Sequence, residues 1–329
     1  MAKDYFIIEH EGHMGPHNEA ELYKDMPDFN RFLYSTGMCM RIMGHDPAAA
    51  RAAMAALPSD APPLGSPEVQ IGRMDAAGVD VAMLVPHWQA AYMNVEPKGV
   101  GNDWVIETCE KYSDRLLPGP VFRPSIVGVR ETLREMEYLV KEKGVRYCKI
   151  YPPGEVWNMN DQRYWPVYSL AEELGLVVGF HTGHGYIYGA NTYAGHPGHL
   201  EEVAREFYDL KILAFHFGWP WQDELNCIAG AYPNVYIGMS FLNNTVNNRP
   251  RFFAKLLGES IIYATVDKVI WSNDGVATPA AVDGFRKFQF PQDLQEGYGY
   301  MALTEEDKAK MFGLNFAKLI GIEPRKRAD

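Results

Sequence analysis

The sequence predicts a (β/α)8 barrel, with all 329 residues in one domain. Three observations lead there. Eight short apolar runs recur along the chain, helical patterns alternate with them, and the runs are apolar at almost every position, as strands covered on both faces are. The first run is 5–9 (YFIIE), followed by 80–86 (DVAMLVP), 117–122 (LPGPVF) and 146–151 (RYCKIY). The runs 176–181 (LVVGFH), 211–216 (KILAFH), 234–239 (NVYIGM) and 267–272 (DKVIWS) complete the set. Helices are predicted over 66–77, 101–113, 129–143, 164–174, 198–207, 220–231, 249–264 and 304–320. Within 129–143, Val129, Leu133, Met136 and Val140 recur at helical spacing, and Gly144 stops the pattern. Residues 14–65 carry no sustained period, and Gly, Pro and Met are scattered through them. They are expected to form a lid or substrate loop after the first strand, not a second domain.

Composition narrows the function. The chain is 47% hydrophobic, enough for a large core, and its formal charge is −11. Such a surface repels phosphate backbones, which argues against a nucleic-acid or anionic-membrane partner. No apolar run is long enough to span a bilayer, and no basic stretch with an apolar core opens the chain. Cys39, Cys109, Cys148 and Cys227 are widely spaced and form no C-x-x-C pair. They read as reduced, mostly buried thiols, and the protein is expected to be cytoplasmic.

In a barrel, chemistry sits where the strands end. Strand one runs into Glu9-His10-Glu11-Gly12-His13, strand five ends at His181, strand six at His216 and strand eight at Asp274. A lone histidine after an apolar run is most often a hydrogen-bonded structural residue. Four strands ending in a metal-ligating residue type at the same end of one barrel point instead to convergence on a divalent ion. Imidazole and carboxylate suit zinc, manganese or iron. Strand alternation would place Glu11 and His13 on one side, with Glu9 deeper on that side and His10 and Gly12 on the other. Glycine at position 12 allows the backbone a tight turn.

The motifs together resemble the amidohydrolase superfamily. Within it they resemble the branch of 2-amino-3-carboxymuconate-6-semialdehyde decarboxylase, γ-resorcylate decarboxylase and 5-carboxyvanillate decarboxylase. The stretches that carry the resemblance are "GRMDAAGVDVAMLVP", "VRYCKIYPP", "AEELGLVVGFHTG", "LKILAFHFGWPWQDEL", "YPNVYIGMS", "VDKVIWSNDG" and "KMFGLNFAKLIGI", which span nearly the whole chain. The resemblance implies metal ligands at Glu11, His13, His181 and Asp274, and catalytic roles for His216 and Asp274. It implies one divalent metal ion, zinc first and manganese next, and a homo-oligomer, dimer or tetramer. Glu-x-His stands where most of the superfamily has His-x-His, and this resembles the γ-resorcylate type. Asn273-Asp274-Gly275 departs from the Ser-Asp-bulky-Pro pattern of many relatives, which bears on the pocket floor.

Other residues carry a functional and a plainer reading. Lys149 ends strand four, where binuclear relatives carry a carbamylated lysine; "KIYPP" more resembles the mononuclear branch, where this lysine is structural. His184 lies three residues past His181 and is expected to face the pocket, whereas His196 and His199 flank a Pro-Gly turn and read as surface or helix-start residues. His87 and Trp88 end strand two and could line the pocket or simply pack. Arg41, or Arg51, could clamp a substrate carboxylate, and Trp219 and Trp221 could stack on an aromatic substrate or cover the rim. The substrate-binding candidates are therefore Arg41, His87, His184 and Trp219. The favoured activity is nonoxidative decarboxylation of an aromatic or unsaturated carboxylic acid. The alternatives are metal-dependent hydrolysis of a lactone, amide or C–C bond, and a non-catalytic barrel.

Overall fold

The computed structural model describes residues 5–15, 29–49, 52, 65–86, 101–186, 188–275 and 278–325. Its strands are β1 (Ile8–Met14), β2 (Val81–Pro86), β3 (Leu116–Pro118), β4 (Val121–Phe122), β5 (Tyr147–Ile150), β6 (Val177–Phe180), β7 (Lys211–Ala214), β8 (Val235–Gly238) and β9 (Val269–Ile270). All pairings are parallel, in the orders β1-β2-β3 and β4-β5-β6-β7-β8-β9. The third barrel strand is thus split in two. Gly119-Pro120 interrupts it, because proline cannot donate to a ladder, but Gly119 N–H still reaches the Leu84 carbonyl at 3.0 Å.

Alternate strand residues enter two apolar clusters. Val81, Met83, Val85, Tyr147, Val177, Leu213 and Phe215 belong to the smaller one, which fills the barrel. Ala82, Leu84, Val178, Phe180, Ile212 and Ala214 belong to the larger one, between strands and helices. At Gly179 a Cβ would lie 2.5 Å from the Phe215 ring and 2.9 Å from the Tyr147 hydroxyl, so only glycine leaves room for both.

The helices follow the sequence closely. Pro67–Ala77, Asn102–Lys111, Val129–Lys143, Trp165–Glu173, His199–Glu206, Gln222–Ala231 and Pro250–Ala264 match predicted segments. Segment 304–320 is continuous but contains a π-helical turn at Lys310–Leu314, whose Met311 carbonyl accepts from Trp271 N–H at 2.9 Å. Two helices, Pro279–Lys287 and Gln292–Tyr298, were not anticipated. Nor was the helix Phe29–Ile42, inside the stretch expected to be loop. It buries Cys39 and Gly37 and leaves Arg31, Tyr34 and Arg41 exposed. His87, Trp88 and Arg51 lie outside the described residues. Among the described residues no helix is long and apolar enough to cross a membrane. Cys39, Cys109 and Cys148 are buried free thiols, and Cys227 is an exposed one.

The rim beyond β4 and β5 is tied by one carboxylate. Glu155 accepts from Ser125 N–H and from the Trp157 indole N–H, both at 3.2 Å, and from the Ser125 hydroxyl at 2.5 Å. Burial pushes its carboxyl up to about 7, against the pull of those donors. An acid with a raised folded-state value favours the fold in its protonated form. The stabilisation is complete below the ordinary carboxylate range and is lost as pH rises through about 7. Glu155→Gln should therefore flatten the dependence of melting temperature on pH between about 4.5 and 7. An unchanged slope in the variant would contradict this assignment.

Candidate metal centre

β1 sets the site. Its pairing with β2 runs Ile8↔Val81 and Glu9↔Ala82, then resumes at Gly12↔Leu84, so a bulge lies between Glu9 and Gly12. Gly12 makes the close approach possible, since a Cβ there would lie 2.8 Å from the Met83 carbonyl oxygen. The bulge corrects the expected alternation. His10 does not face away from the barrel. Its ring lies 5.2 Å from Phe215 and 5.6 Å from Phe316, inside the barrel, and a Cβ on Gly238 would touch its Nε2. Glu11 and His13 then still reach the mouth. Glu9 turns sideways, accepting from Asn273 N–H at 2.8 Å, from Glu11 N–H at 3.2 Å and from the Ser272 hydroxyl. That carboxylate joins β1 to the end of β9, where no strand ladder closes the barrel among the described residues.

The potential ligand atoms fall in two overlapping groups, Glu11–His181–His216 and Glu11–His13–Asp274, each with its atoms within 4.8 Å of one another. Glu11 is shared, so the five residues form one cluster. His13 Nε2 lies 3.2 Å from Asp274 Oδ1 and 3.5 Å from Glu11 Oε1. The Lys149 ammonium donates to Glu11 and lies 3.2 Å from His13 Nε2. Lys149, read mainly as structural, thus shares the carboxylate that a cation would use.

Electrostatics prepare the donors. Burial works against the charged form of Glu11, but Lys149, His216 and His13 outweigh it and hold the carboxyl well below its usual range. Burial lowers His181 and His216, leaving neutral imidazoles, the form that ligates metal. Burial and Lys149 also oppose a charge on His13, but Asp274 and Glu11 raise it overall.

The second nitrogens of His181 and His216 decide the fit. His181 Nε2 faces the His184 carbonyl at 3.0 Å, and His216 Nδ1 faces the Ser240 carbonyl at 3.3 Å and hydroxyl at 3.2 Å. A carbonyl only accepts, so both of these nitrogens carry the proton. The remaining nitrogens, His181 Nδ1 and His216 Nε2, then point lone pairs at each other across 3.1 Å. Beside them Glu11 Oε2 is buried and has no hydrogen-bond partner among the described residues. The His181 lone pair and the orphan carboxylate oxygen call for a cation, one divalent ion fits the donor set, and the His216 lone pair faces the same space.

The substrate candidates scatter. The His184 ring Nδ1 accepts from Tyr186 N–H at 2.8 Å, which ties it to the loop after β6. The Trp219 ring packs against Phe252, while its carbonyl accepts from His184 N–H at 2.8 Å. Gly183, at φ 80°, would place a Cβ 2.1 Å from that carbonyl, so this meeting of loops requires glycine. Arg41 is exposed, its guanidinium 5.9 Å from the Tyr34 ring, and no described contact joins it to the cluster. Its helix meets the site through Cys39, whose thiol donates to the Tyr186 carbonyl at 3.1 Å. Tyr186 and Phe241 also belong to the site and were missed. Phe241 carried no signal, because its backbone conformation is one that sequence normally reserves for glycine.

The chain is a (β/α)8 barrel with a candidate metal cluster at its mouth. The family model for amidohydrolases matches residues 42–322, and the chain belongs to that family. Among solved structures it is similar to an uncharacterised TIM-barrel protein from Bordetella bronchiseptica, with 18% identity, a TM-score of 0.66, and coverage of 96% of this chain and 98% of the other. It is also similar to 5-carboxyvanillate decarboxylase from Sphingomonas paucimobilis, with 18% identity, a TM-score of 0.63, and coverage of 97% and 100%. The counterpart from Novosphingobium aromaticivorans, complexed with manganese and 4-hydroxy-3-methoxy-5-nitrobenzoic acid, has 16% identity, a TM-score of 0.65, and coverage of 97% and 96%. A segment of 85 residues is 26% identical to protein fluG of Emericella nidulans, and covers 10% of that protein's length.

The contact of Lys149 with Glu11 generates a prediction. Lys149→Met removes the positive partner of a fully buried carboxylate, which typically costs about 3–5 kcal/mol. The metal-free variant should melt markedly lower than metal-free wild type. Manganese or zinc should restore most of the loss, because the ion takes over the charge balance. Full stability without metal, or no recovery on adding it, would show that Glu11 does not depend on Lys149 in this way.

Proposed function

We propose that this protein is a divalent-metal-dependent decarboxylase acting on an aromatic or unsaturated carboxylic acid. The observation that carries the reading is the pair of carboxylates, Glu11 and Asp274, in one cluster with neutral His181 and His216. Two negative ligands bring a divalent ion close to neutrality. That disfavours making hydroxide from bound water, which hydrolysis needs, but still allows substrate oxygens to be anchored. The Glu-x-His pattern and the manganese-bound decarboxylase among the structural neighbours support the same choice. Carboxylate ligands make manganese a serious competitor to zinc.

Bound in this cluster, the ion would orient the substrate through its carboxylate and an adjacent oxygen. The residues of the chain then handle the proton. Asp274 keeps 18% side-chain exposure and can exchange protons with solvent, whereas His216 is completely buried. Asp274 is therefore an ionised ligand in the resting site that takes a proton from solvent once the substrate is bound and delivers it to the carbon bearing the carboxylate. The C–C bond then breaks, its electrons return to the ring or double bond, and CO2 leaves. Asp274 is left ionised and reloads from solvent. His216 is held by Ser240 in one tautomer and keeps its Nε2 turned to the reacting centre.

His216→Asn should fold and keep its metal, yet lose about 10²–10⁴-fold in turnover. The test is a panel of aromatic and unsaturated acids scored for CO2 release by the metal-loaded enzyme. In D2O, deuterium should appear at the carbon that carried the carboxylate, and ¹⁸O from labelled water should not enter the organic product. Enzyme-dependent ¹⁸O in a new acid or alcohol would establish hydrolysis instead. Loss of metal from His216→Asn would move His216 among the ligands.

A further inference from the structure

The loop after β6 holds an aromatic side chain that the mechanism above does not use. Tyr186 has φ 58°, in the left-handed region that tyrosine rarely adopts. Four hydrogen bonds fix the short segment that carries it. His181 Nε2 bonds the His184 carbonyl at 3.0 Å, and the Tyr151 hydroxyl bonds the Gly185 carbonyl at 2.6 Å. Tyr186 N–H donates to His184 Nδ1 at 2.8 Å, and the Cys39 thiol donates to the Tyr186 carbonyl at 3.1 Å. Phe241, in the loop after β8, is strained as well. Its φ of 57° and ψ of −58° put it at the centre of a γ-turn closed by Leu242 N–H and the Ser240 carbonyl, a rare conformation.

These two loops set two rings together over the metal cluster. The Tyr186 and Phe241 centroids are 4.4 Å apart, and Tyr186 lies 5.2 Å from His216 and 5.9 Å from His181. Strained backbone persists only where its surroundings over-determine it, and it gathers at ligand clamps. The Tyr186 hydroxyl is buried and has no hydrogen-bond partner among the described residues. It is the uncommitted donor of this wall. The Lys149 ammonium is engaged by Glu11 and His13, and Glu11 and Asp274 bring only acceptors. An anionic substrate entering such a site needs a donor that is neither a ligand nor already paired.

We propose that Tyr186 is a substrate-recognition residue whose hydroxyl donates a hydrogen bond to the carboxylate of the bound acid, and that Phe241 positions the ring that carries it. The inference rests on the reading of the site as one that binds a carboxylic acid, and it adds the residue that tells a carboxylate from another metal-binding group.

Two probes separate these statements. Both 2-hydroxybenzoate and 1,2-dihydroxybenzene offer two adjacent oxygens to a metal, but only the first carries a carboxylate. Each is titrated calorimetrically into manganese-loaded wild type and Tyr186→Phe, with metal content and melting temperature measured on the same samples. The variant should keep its metal, bind 2-hydroxybenzoate about 10- to 100-fold more weakly, as for loss of a hydrogen bond to a charged group, and bind 1,2-dihydroxybenzene within about threefold of wild type. Phe241→Leu should weaken 2-hydroxybenzoate in the same direction. Unchanged affinity for 2-hydroxybenzoate in Tyr186→Phe overturns the proposal, and so does equal weakening of both probes, which would make the ring merely structural. Wild type that binds 1,2-dihydroxybenzene but not 2-hydroxybenzoate refutes the acid-binding reading itself, before the variant is considered.

Discussion

The open end of the barrel is arranged around one buried negative charge, the Glu11 carboxylate. It is completely shielded from water, and an ionised carboxylate in that position is costly unless it is paired. Every element of the mouth answers to that cost. β5 contributes Lys149, β6 and β7 lead to His181 and His216, and the loop after β9 turns Asp274 toward His13. The bulge in β1 brings both Glu11 and His13 to this point, and Gly275 N–H caps the Glu11 carbonyl at 2.8 Å. Among the described residues no ladder joins β9 to β1, so on that side the strand that bears Glu11 is held by the Glu9 side chain, and on the other by its pairing with β2.

The second constraint is backbone strain. Among the described residues, positive φ outside glycine occurs at Tyr186, His216, Phe217, Phe241 and Asp274, all in loops at the mouth, and elsewhere at Val156 and Thr265. Conformations of this kind cost roughly 1–3 kcal/mol each. The barrel tolerates them because its two apolar clusters and regular helices supply stability well away from the mouth. The strain re-aims side chains that a regular strand end would point elsewhere. His216 is a clear case, since the turn it begins lets its ring meet both Ser240 and His181.

The fold was almost fully legible in the sequence, because buried parallel strands and their covering helices leave an apolar signal that does not depend on detail. The site was legible in its residue types and not in its geometry. Glu11, His13, His181, His216 and Asp274 stand out as polar residues after apolar runs, but the side to which each points depends on where β1 bulges. Period-two alternation counted back from His13 therefore misplaces His10, which follows Phe6 and Ile8 into the barrel, and the bulge between Glu9 and Gly12 is the reason. The helix Phe29–Ile42 escaped notice because Gly37 and the Gly, Pro and Met residues scattered around it read as loop. Tyr186 and Phe241 escaped because their roles come from conformations that tertiary contacts impose on the chain. Lys149 was visible as a strand-end lysine, yet its partner, 138 positions away in sequence, could only be seen in the fold.

Charge balance links these features to chemistry. Glu11 and Asp274 contribute two negative charges, and Lys149 contributes one positive charge in direct contact with Glu11. With a divalent ion in the same cluster, positive charge exceeds the ligand carboxylates by one, which is the charge of a single substrate carboxylate. In the proposed reaction the site would be neutral with an acid bound, and positive again once that acid had left as CO2 and a neutral ring. A hydrolytic site gains by keeping the ion strongly electron-withdrawing, so that bound water ionises near neutral pH. With Glu11 as a ligand that pull would weaken, while Lys149 would preserve attraction for an anion without sharpening the ion as a Lewis acid. The arrangement favours holding a carboxylate over activating water, and it does so through residues on β1, on β5 and in the loop after β9, whose spacing is set by the barrel.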